Sequence, residues 1–373
     1  MSQVLASGID MGNLVTLSAV FQTNESDPMK SVPVKVADRN GMKEPSSEIY
    51  FDNGNRLTGT AAKVLKQSDR NPNACIKFVK SSIKRPFEDI SDQIKKVVTS
   101  LSADENGEAQ YVISIDGKNT AFWPSHMAGI YISDRIADIK KERKVPNYFT
   151  DEQVDDFQAG LCVAQVDNYI LIREVDSMAV DYCYYKSLYH EFDDHPIVVL
   201  FIGVGFGESQ AYAIEFTKDS YNILSYAHTN KVCSSMVDAL MYEVFYEAYD
   251  ENRDEDDDPD IRENSVLTAK LLNTIITTKH QMSDPSLESI EVMIPDYNDC
   301  GDDFYMEIST SLLREKIEES GMVNHLKQMV TECIEGMHGV VPERLEIMDN
   351  GVLTSAFSEC VNETCSEHGI QIS

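Results

Sequence analysis

Apolar and polar residues alternate along the first fifty positions. VLASGIDM, LVTLSAVFQ and SVPVKVAD alternate like strands, with SEIYFD following. That is the period of a half-buried strand, so this region predicts a succession of strands. The period then lengthens. TAAKVLKQSD (60–69) has helical spacing, YVISIDGKNTAF (111–122) returns to a strand pair with Asp-Gly-Lys at its turn, and PSHMAGIYISDRIADIKKE (124–142) is helical again. A proline such as Pro124 suits a first helical turn, where the missing N–H costs nothing. VPNYFTDEQ (145–153) reads as a strand end running into a helix that continues to about 164. Thr150 is its N-cap, and Gln153 stands three residues on, as a capping box requires. NYILIREV then predicts a short strand and DSMAVDYCYYKSLYHEF another helix.

PIVVLFIGVGFGESQAYAIEF (196–216) is an apolar strand, a glycine-rich turn and a second strand, with NILSYAHTN as a third. A strand-turn-strand with glycines therefore occurs twice, near residues 8–22 and 197–216. Each is followed by another strand and then helices, which predicts a duplicated architecture with one hairpin per lobe. Beyond it, helices are expected over 235–249, 262–283 and 310–337, the last broken near Gly321. Residues 340–363 read as strand, turn and helix. The acidic run AYDENRDEDDDPDIREN (248–264) is expected to be a solvated loop between helices.

At 373 residues the chain is large for one core, so two lobes are expected. A net charge of -31 repels nucleic acid and anionic membranes, and neither is an expected partner. The eight cysteines form no Cys-x-x-Cys pair, so zinc is not expected and reduced thiols are. No stretch reaches the roughly 18 apolar residues of a membrane span. MSQVLASGID has neither a basic flank nor a long apolar run, and a cytoplasmic address is expected.

Read in order, further segments resemble the nucleotide-binding domain of the 70-kDa heat-shock chaperones and their 110-kDa relatives. GIDMGNLVTLSAVFQ resembles the family's first phosphate loop, and VVLFIGVGFGESQAYAIEF stands where the second should be. RLTGTAAKVLKQSDRNPNACIKFVKSSIKRPF, FWPSHMAGIYISDRIADIKK, VPNYFTDEQ, REVDSMAVDYCYY and FYMEISTSLLREKIEE resemble the segments between and beyond. Asn13 and Val175 lean toward the 110-kDa branch. The resemblance implies an α/β, actin-like ATPase fold with ribonuclease H-like duplicated lobes around a nucleotide cleft. Lobe I would span 1–193, with a small subdomain at about 35–115. Lobe II would span 194–373, with a small helical subdomain at about 230–310. The peptide-binding domain and lid are expected to be absent.

The same resemblance assigns site residues. Asp10 would hold hydrated Mg²⁺, with Gly12 and Asn13 at the first phosphate turn. Lys80 would reach the γ-phosphate and the attacking water, and Glu174 would complete the water and metal network. The second hairpin departs from the family's Asp-x-Gly-Gly-Gly-Thr. Gly203 takes the position of the Asp that orients the water, Gly205 is the first glycine, and Glu208 brings negative charge beside a phosphate position. On the nucleoside side Lys279 matches a ribose or adenine contact. The Gly-Gly pair is Asp349-Asn350 with Gly351 one step later, and Cys233-Ser234-Ser235 replaces another Gly-Gly pair. ATP or ADP with Mg²⁺ is the implied cofactor, its binding weakened or lost by these departures, and hydrolysis is expected to be weak or absent. The expected role is a co-chaperone, nucleotide-exchange or scaffold factor for a heat-shock-70 chaperone. The alternatives are an active chaperone-type ATPase and a ribosome-associated subunit, working with a J-domain protein, that binds ATP without turnover.

Overall fold

The computed structural model describes the chain outside residues 1–3, 23–31, 53–54, 69–71, 116, 139–142, 146–148, 167–168, 189–194, 219, 254–257, 283, 285, 298–300 and 371–373. The last residues of the predicted 124–142 helix, Asp116 of the predicted turn, Cys300 and the middle of the acidic run lie outside it. The chain falls into two compact units, Met1–Glu191 and Phe192–Ser373.

The first unit begins with β1 (Val4–Met11), β2 (Thr16–Gln22) and β3 (Val32–Lys35), an antiparallel meander in the order β1-β2-β3. Next come β4 (Ile49–Asp52), β5 (Asn55–Thr58), α1 (Thr60–Ser68), β6 (Cys75–Ile76), α2 (Val79–Ser82) and α3 (Asp92–Val97). β7 (Leu101–Ala103), β8 (Ala109–Ile115) and β9 (Lys118–Phe122) form a second meander. The unit closes with α4 (Pro124–Asp138), β10 (Arg143–Val145), α5 (Asp151–Val163), β11 (Leu171–Arg173) and α6 (Glu174–Leu188). β10 and β11 are parallel, and β10 lies beside β1.

Local chemistry explains the joints. Thr150 and Gln153 form the expected capping box: the Thr150 hydroxyl accepts from the Gln153 amide, and the Gln153 side chain accepts from the Thr150 amide. Two otherwise orphaned donors at the start of α5 are thereby satisfied. Helices α4 and α5 meet backbone to backbone, because a Cβ at Gly129 would overlap the Gly160 carbonyl and one at Gly160 would overlap that of Ser125. Glu174, read as part of a strand segment, is instead the first residue of α6.

The second unit is built on β12 (Ile197–Val204), β13 (Ser209–Phe216) and β14 (Tyr221–Thr229). They are followed by α7 (Ser234–Asn252), α8 (Ser265–Met282), β15 (Ser289–Ile294) and β16 (Phe304–Ser309). The last elements are α9 (Thr310–Glu319), α10 (Met322–Glu335), β17 (Arg344–Ile347) and α11 (Ser355–Glu367). The sheet order is β14-β13-β12-β17, with β12 parallel to β17. All eight residues of β12 are buried, as its unbroken apolar run requires of a central strand. Helix α10 packs on β13 and β14 through Met322, Leu326, Met329, Val330 and Cys333, a stripe at helical spacing. Gly321 sits between α9 and α10 with φ 77°, the left-handed conformation that ends a helix and favours glycine.

The stretch 230–310, expected to be helical, also contains the β15–β16 hairpin. Ile290, Val292 and Ile294 are buried while Glu291 and Met293 face out, the alternation of a strand.

Candidate functional site

In the first unit the β1–β2 turn is set by register. Asp10 pairs with Leu17 and Met11 with Thr16, and the Gly12 N–H then closes the turn on the Val15 carbonyl at 3.0 Å. A Cβ at Gly12 would stand only 2.6 Å from that carbonyl oxygen, so the turn needs glycine. Asn13 is buried, and its side-chain oxygen accepts the Ser81 N–H at 3.0 Å. The residue expected at the phosphate turn thus ties that turn to α2, the helical turn that carries Lys80.

α2 is held under local strain. Phe78, its N-cap, has φ 58°, and Lys84 just beyond it has φ 46°. Non-glycine residues occupy the left-handed region at a cost of order 1–3 kcal/mol, and persist there only where neighbours hold them. Here the Ser81 and Ser82 hydroxyls both donate to the Phe78 carbonyl, and the Tyr111 hydroxyl donates to the Lys77 carbonyl at 2.6 Å. Burial pushes the Tyr111 phenol far up, against the opposing hydrogen bond with Ser82, so it remains a donor. The result presents Lys80 to Glu174. Their Nζ and Oε2 are 3.7 Å apart, with side chains 13% and 33% exposed. That is an ion pair but too long for a hydrogen bond. Glu174 Oε2 is buried and makes no hydrogen bond. An acceptor left in this state beside a lysine is a place for a donor, such as a water or a metal-bound water.

The second unit gathers Gly203, Gly205, Lys279 and Gly351 around the carboxyl end of β12. Gly203 pairs with Gln210 and Val204 with Ser209, and the Gly205 N–H closes on the Glu208 carbonyl at 3.0 Å. The start of α7 is fastened to this turn, since the Ser234 and Ser235 amides donate to the Gly205 and Phe206 carbonyls at 2.9 and 3.0 Å. Lys279, on α8, donates to the Ser234 carbonyl at 3.2 Å, to the Ser234 hydroxyl at 2.6 Å and to Asp238. Its side chain and that of Asp238 are 17% and 13% exposed, so the lysine expected as a nucleoside contact bolts α8 to α7 in a largely buried ion pair. Burial raises the Asp238 carboxyl above its ordinary value, against the pull of Lys279. Glu208 is buried, and Gly351 lies so close to the Val204 carbonyl that a Cβ would overlap it. Asp349, expected only as a departure from Gly-Gly, has its carboxylate directly over Gly203. No sequence signal could have found that contact, because 146 positions separate the two residues (349 − 203).

The chain matches the family model described as Hsp70 protein over residues 6–341. It belongs to the Hsp70 family. The α/β, actin-like ATPase fold that the resemblance implied follows from that membership. Among similar proteins, a heat shock protein homolog of Lachancea kluyveri is 22% identical, over 98% of this chain and 52% of that protein. Its counterpart of the same description in Saccharomyces cerevisiae is 22% identical, over 88% of this chain and 46% of its own length. Chaperone protein DnaK of Akkermansia muciniphila is 25% identical, over 47% of this chain and 27% of its own. The resemblance to the 110-kDa branch agrees with the Lachancea and Saccharomyces matches, which run along most of the chain. The chain spans about half the length of those two heat shock protein homologs. Among the described residues, no helix is long and apolar enough to cross a membrane.

Proposed function

We propose that the chain is an Hsp70-type nucleotide-binding unit that holds Mg-ATP or Mg-ADP, hydrolyses it slowly, and serves as a co-chaperone, nucleotide-exchange or scaffold factor. Its lobes are taken as 1–193 and 194–373, with small subdomains at about 35–115 and 230–310. Asp10, Gly12, Lys80 and Glu174 are the residues that would hold the phosphates and the hydrated metal in lobe I. The orphaned Glu174 oxygen beside Lys80 and the side-chain-free turn at Gly12 fit that cargo. Mg²⁺ would supply charge neutralisation between the phosphate oxygens. Asn13 acts through Ser81 on the placement of Lys80 and is a positioning residue.

The observation that carries slow hydrolysis is Gly203. The strand position that matches a water-orienting Asp in the family has no side chain, while the Lys80–Glu174 pair is retained. Removing one preorganised group of this kind costs on the order of 10²–10³ in rate. A protein that keeps the ligand but not the turnover suits exchange or scaffolding, with a heat-shock-70 chaperone or a J-domain protein as partner in the cytoplasm. The test is two measurements on the purified chain, calorimetric binding of Mg-ATP and single-turnover hydrolysis. Saturable binding with turnover ~10²-fold or more below an active Hsp70 chaperone is expected. Turnover at the active chaperone's rate would establish the ATPase alternative instead. The exchange role is read from release of labelled ADP by a heat-shock-70 chaperone, which should speed up when the chain is added.

A further inference from the structure

The two glycine hairpins are equivalent residue by residue. In the first, Asp10 pairs with Leu17, Met11 with Thr16, and the Gly12 N–H meets the carbonyl three residues on at 3.0 Å. In the second, Gly203 pairs with Gln210, Val204 with Ser209, and the Gly205 N–H meets the carbonyl three residues on at 3.0 Å. Each turn glycine is crowded by that same carbonyl, 2.6 Å and 2.8 Å from where a Cβ would be. Asp10 and Gly203 are therefore counterparts, one with a carboxylate and one without.

The space over Gly203 is nevertheless filled by a carboxylate. A Cβ built on Gly203 would overlap Oδ2 of Asp349, and one built on Gly205 would stand 3.6 Å from the same oxygen. The route is visible in the sheet. β17 runs parallel to β12 from Val199↔Arg344 to Ile202↔Ile347, and the Met348 N–H adds one more bond to the Ile202 carbonyl at 3.0 Å. Gly351 then lets the chain turn closely against Val204. Asp349, with an extended backbone just before the 3-10 turn Asn350–Leu353, is exposed at the carboxyl ends of two adjacent parallel strands. Ligands of α/β sheets bind at such ends.

We propose that Asp349 replaces in space the carboxylate that the second hairpin lacks at Gly203, and that it anchors the hydrated Mg²⁺ of a bound nucleoside di- or triphosphate. Mg²⁺ keeps most of its waters and is held through one or two carboxylates together with the phosphates. The proposal rests on the reading of the chain as a nucleotide-binding unit.

Calorimetric titration of the full chain with ATP, in excess Mg²⁺ and again in EDTA, tests it. The wild type should bind more tightly with Mg²⁺. Asp349→Asn should lose that gain by about tenfold or more, the scale of losing a group that supports a metal, with EDTA affinity unchanged. Gly203→Ala, which keeps the charge but displaces the carboxylate, should reduce the same gain. The pair Gly203→Asp with Asp349→Gly should recover it. Wild-type metal dependence in Asp349→Asn would overturn the proposal and leave the nucleotide reading standing. Absence of ATP binding by the wild type in both conditions would overturn both.

Discussion

Gly203 and Gly351 both lack side chains for steric reasons, but their obstacles differ in kind. A Cβ at Gly203 would meet the end of the Asp349 side chain, which can rotate away. A Cβ at Gly351 would meet the Val204 backbone carbonyl, with Val204 Cγ1 only 2.9 Å away, and backbone paired to β13 yields less readily than a side-chain tip. Gly203→Ala is therefore expected to cost under about 1 kcal/mol of stability and Gly351→Ala about 1–3 kcal/mol. Urea unfolding read at constant slope checks this. Equal losses would mean that Asp349 is as firmly fixed as the backbone. The same comparison explains why the site was only partly legible. Gly12 and Gly205 belong to local patterns, visible because a tight turn after a strand demands glycine, whereas Asp10 was legible only through the family resemblance. The use of Asn13 on Ser81, of Lys279 on Asp238 and of Asp349 at Gly203 depends on contacts over 68, 41 and 146 positions (81 − 13, 279 − 238, 349 − 203), which no periodicity encodes.

At the level of elements, long periodic segments were legible and short ones were not. The capping box of α5, the break at Gly321 and the register-bearing hairpins follow from chemistry confined to a few neighbouring residues. β5, β6 and β7 are two to four residues long and are strands only because a partner lies beside them. The start of α1 is a similar case. Its Thr60 amide is met by Asp38, far off in sequence, whose other oxygen accepts from the Asn40 and Met42 amides at 2.9 and 3.0 Å. Burial pushes the Asp38 carboxyl up, but the hydrogen bonds from Thr60, Met42 and Asn40 together outweigh it and hold the group below its ordinary value. A depressed carboxylate stabilises the fold fully above its unfolded pKa of about 3.9, and that contribution is lost as pH falls through the lower folded value. Asp38→Asn should therefore be less stable than the wild type at pH 6, and the difference should shrink toward pH 3. Urea midpoints at the two pH values measure it. A gap that stayed constant would assign the loss to packing rather than to charge.

For the whole molecule the dominant fact is a net charge of -31. The ion pairs do little to offset it. Lys35–Glu44, Arg314–Glu318 and Lys327–Glu367 have both partners at least 45% exposed, and exposed pairs contribute about 0–1 kcal/mol each. Unbalanced carboxylates repel one another within each folded unit, and unfolding relieves that repulsion by spreading them apart. The Debye length falls from about 30 Å at 0.01 M salt to about 8 Å at 0.15 M. Screening over that range reaches most of the surface charges while leaving the buried Lys279–Asp238 pair little changed. The melting temperature should therefore rise when NaCl is increased from ~0.01 to ~0.15 M, the range over which screening changes most. Differential scanning calorimetry decides it. A fall in melting temperature would mean that the exposed ion pairs, weakened by the same salt, outweigh the repulsion. A rise would mean that the acidic surface is a standing cost of the fold, one that a cationic partner would also relieve on binding.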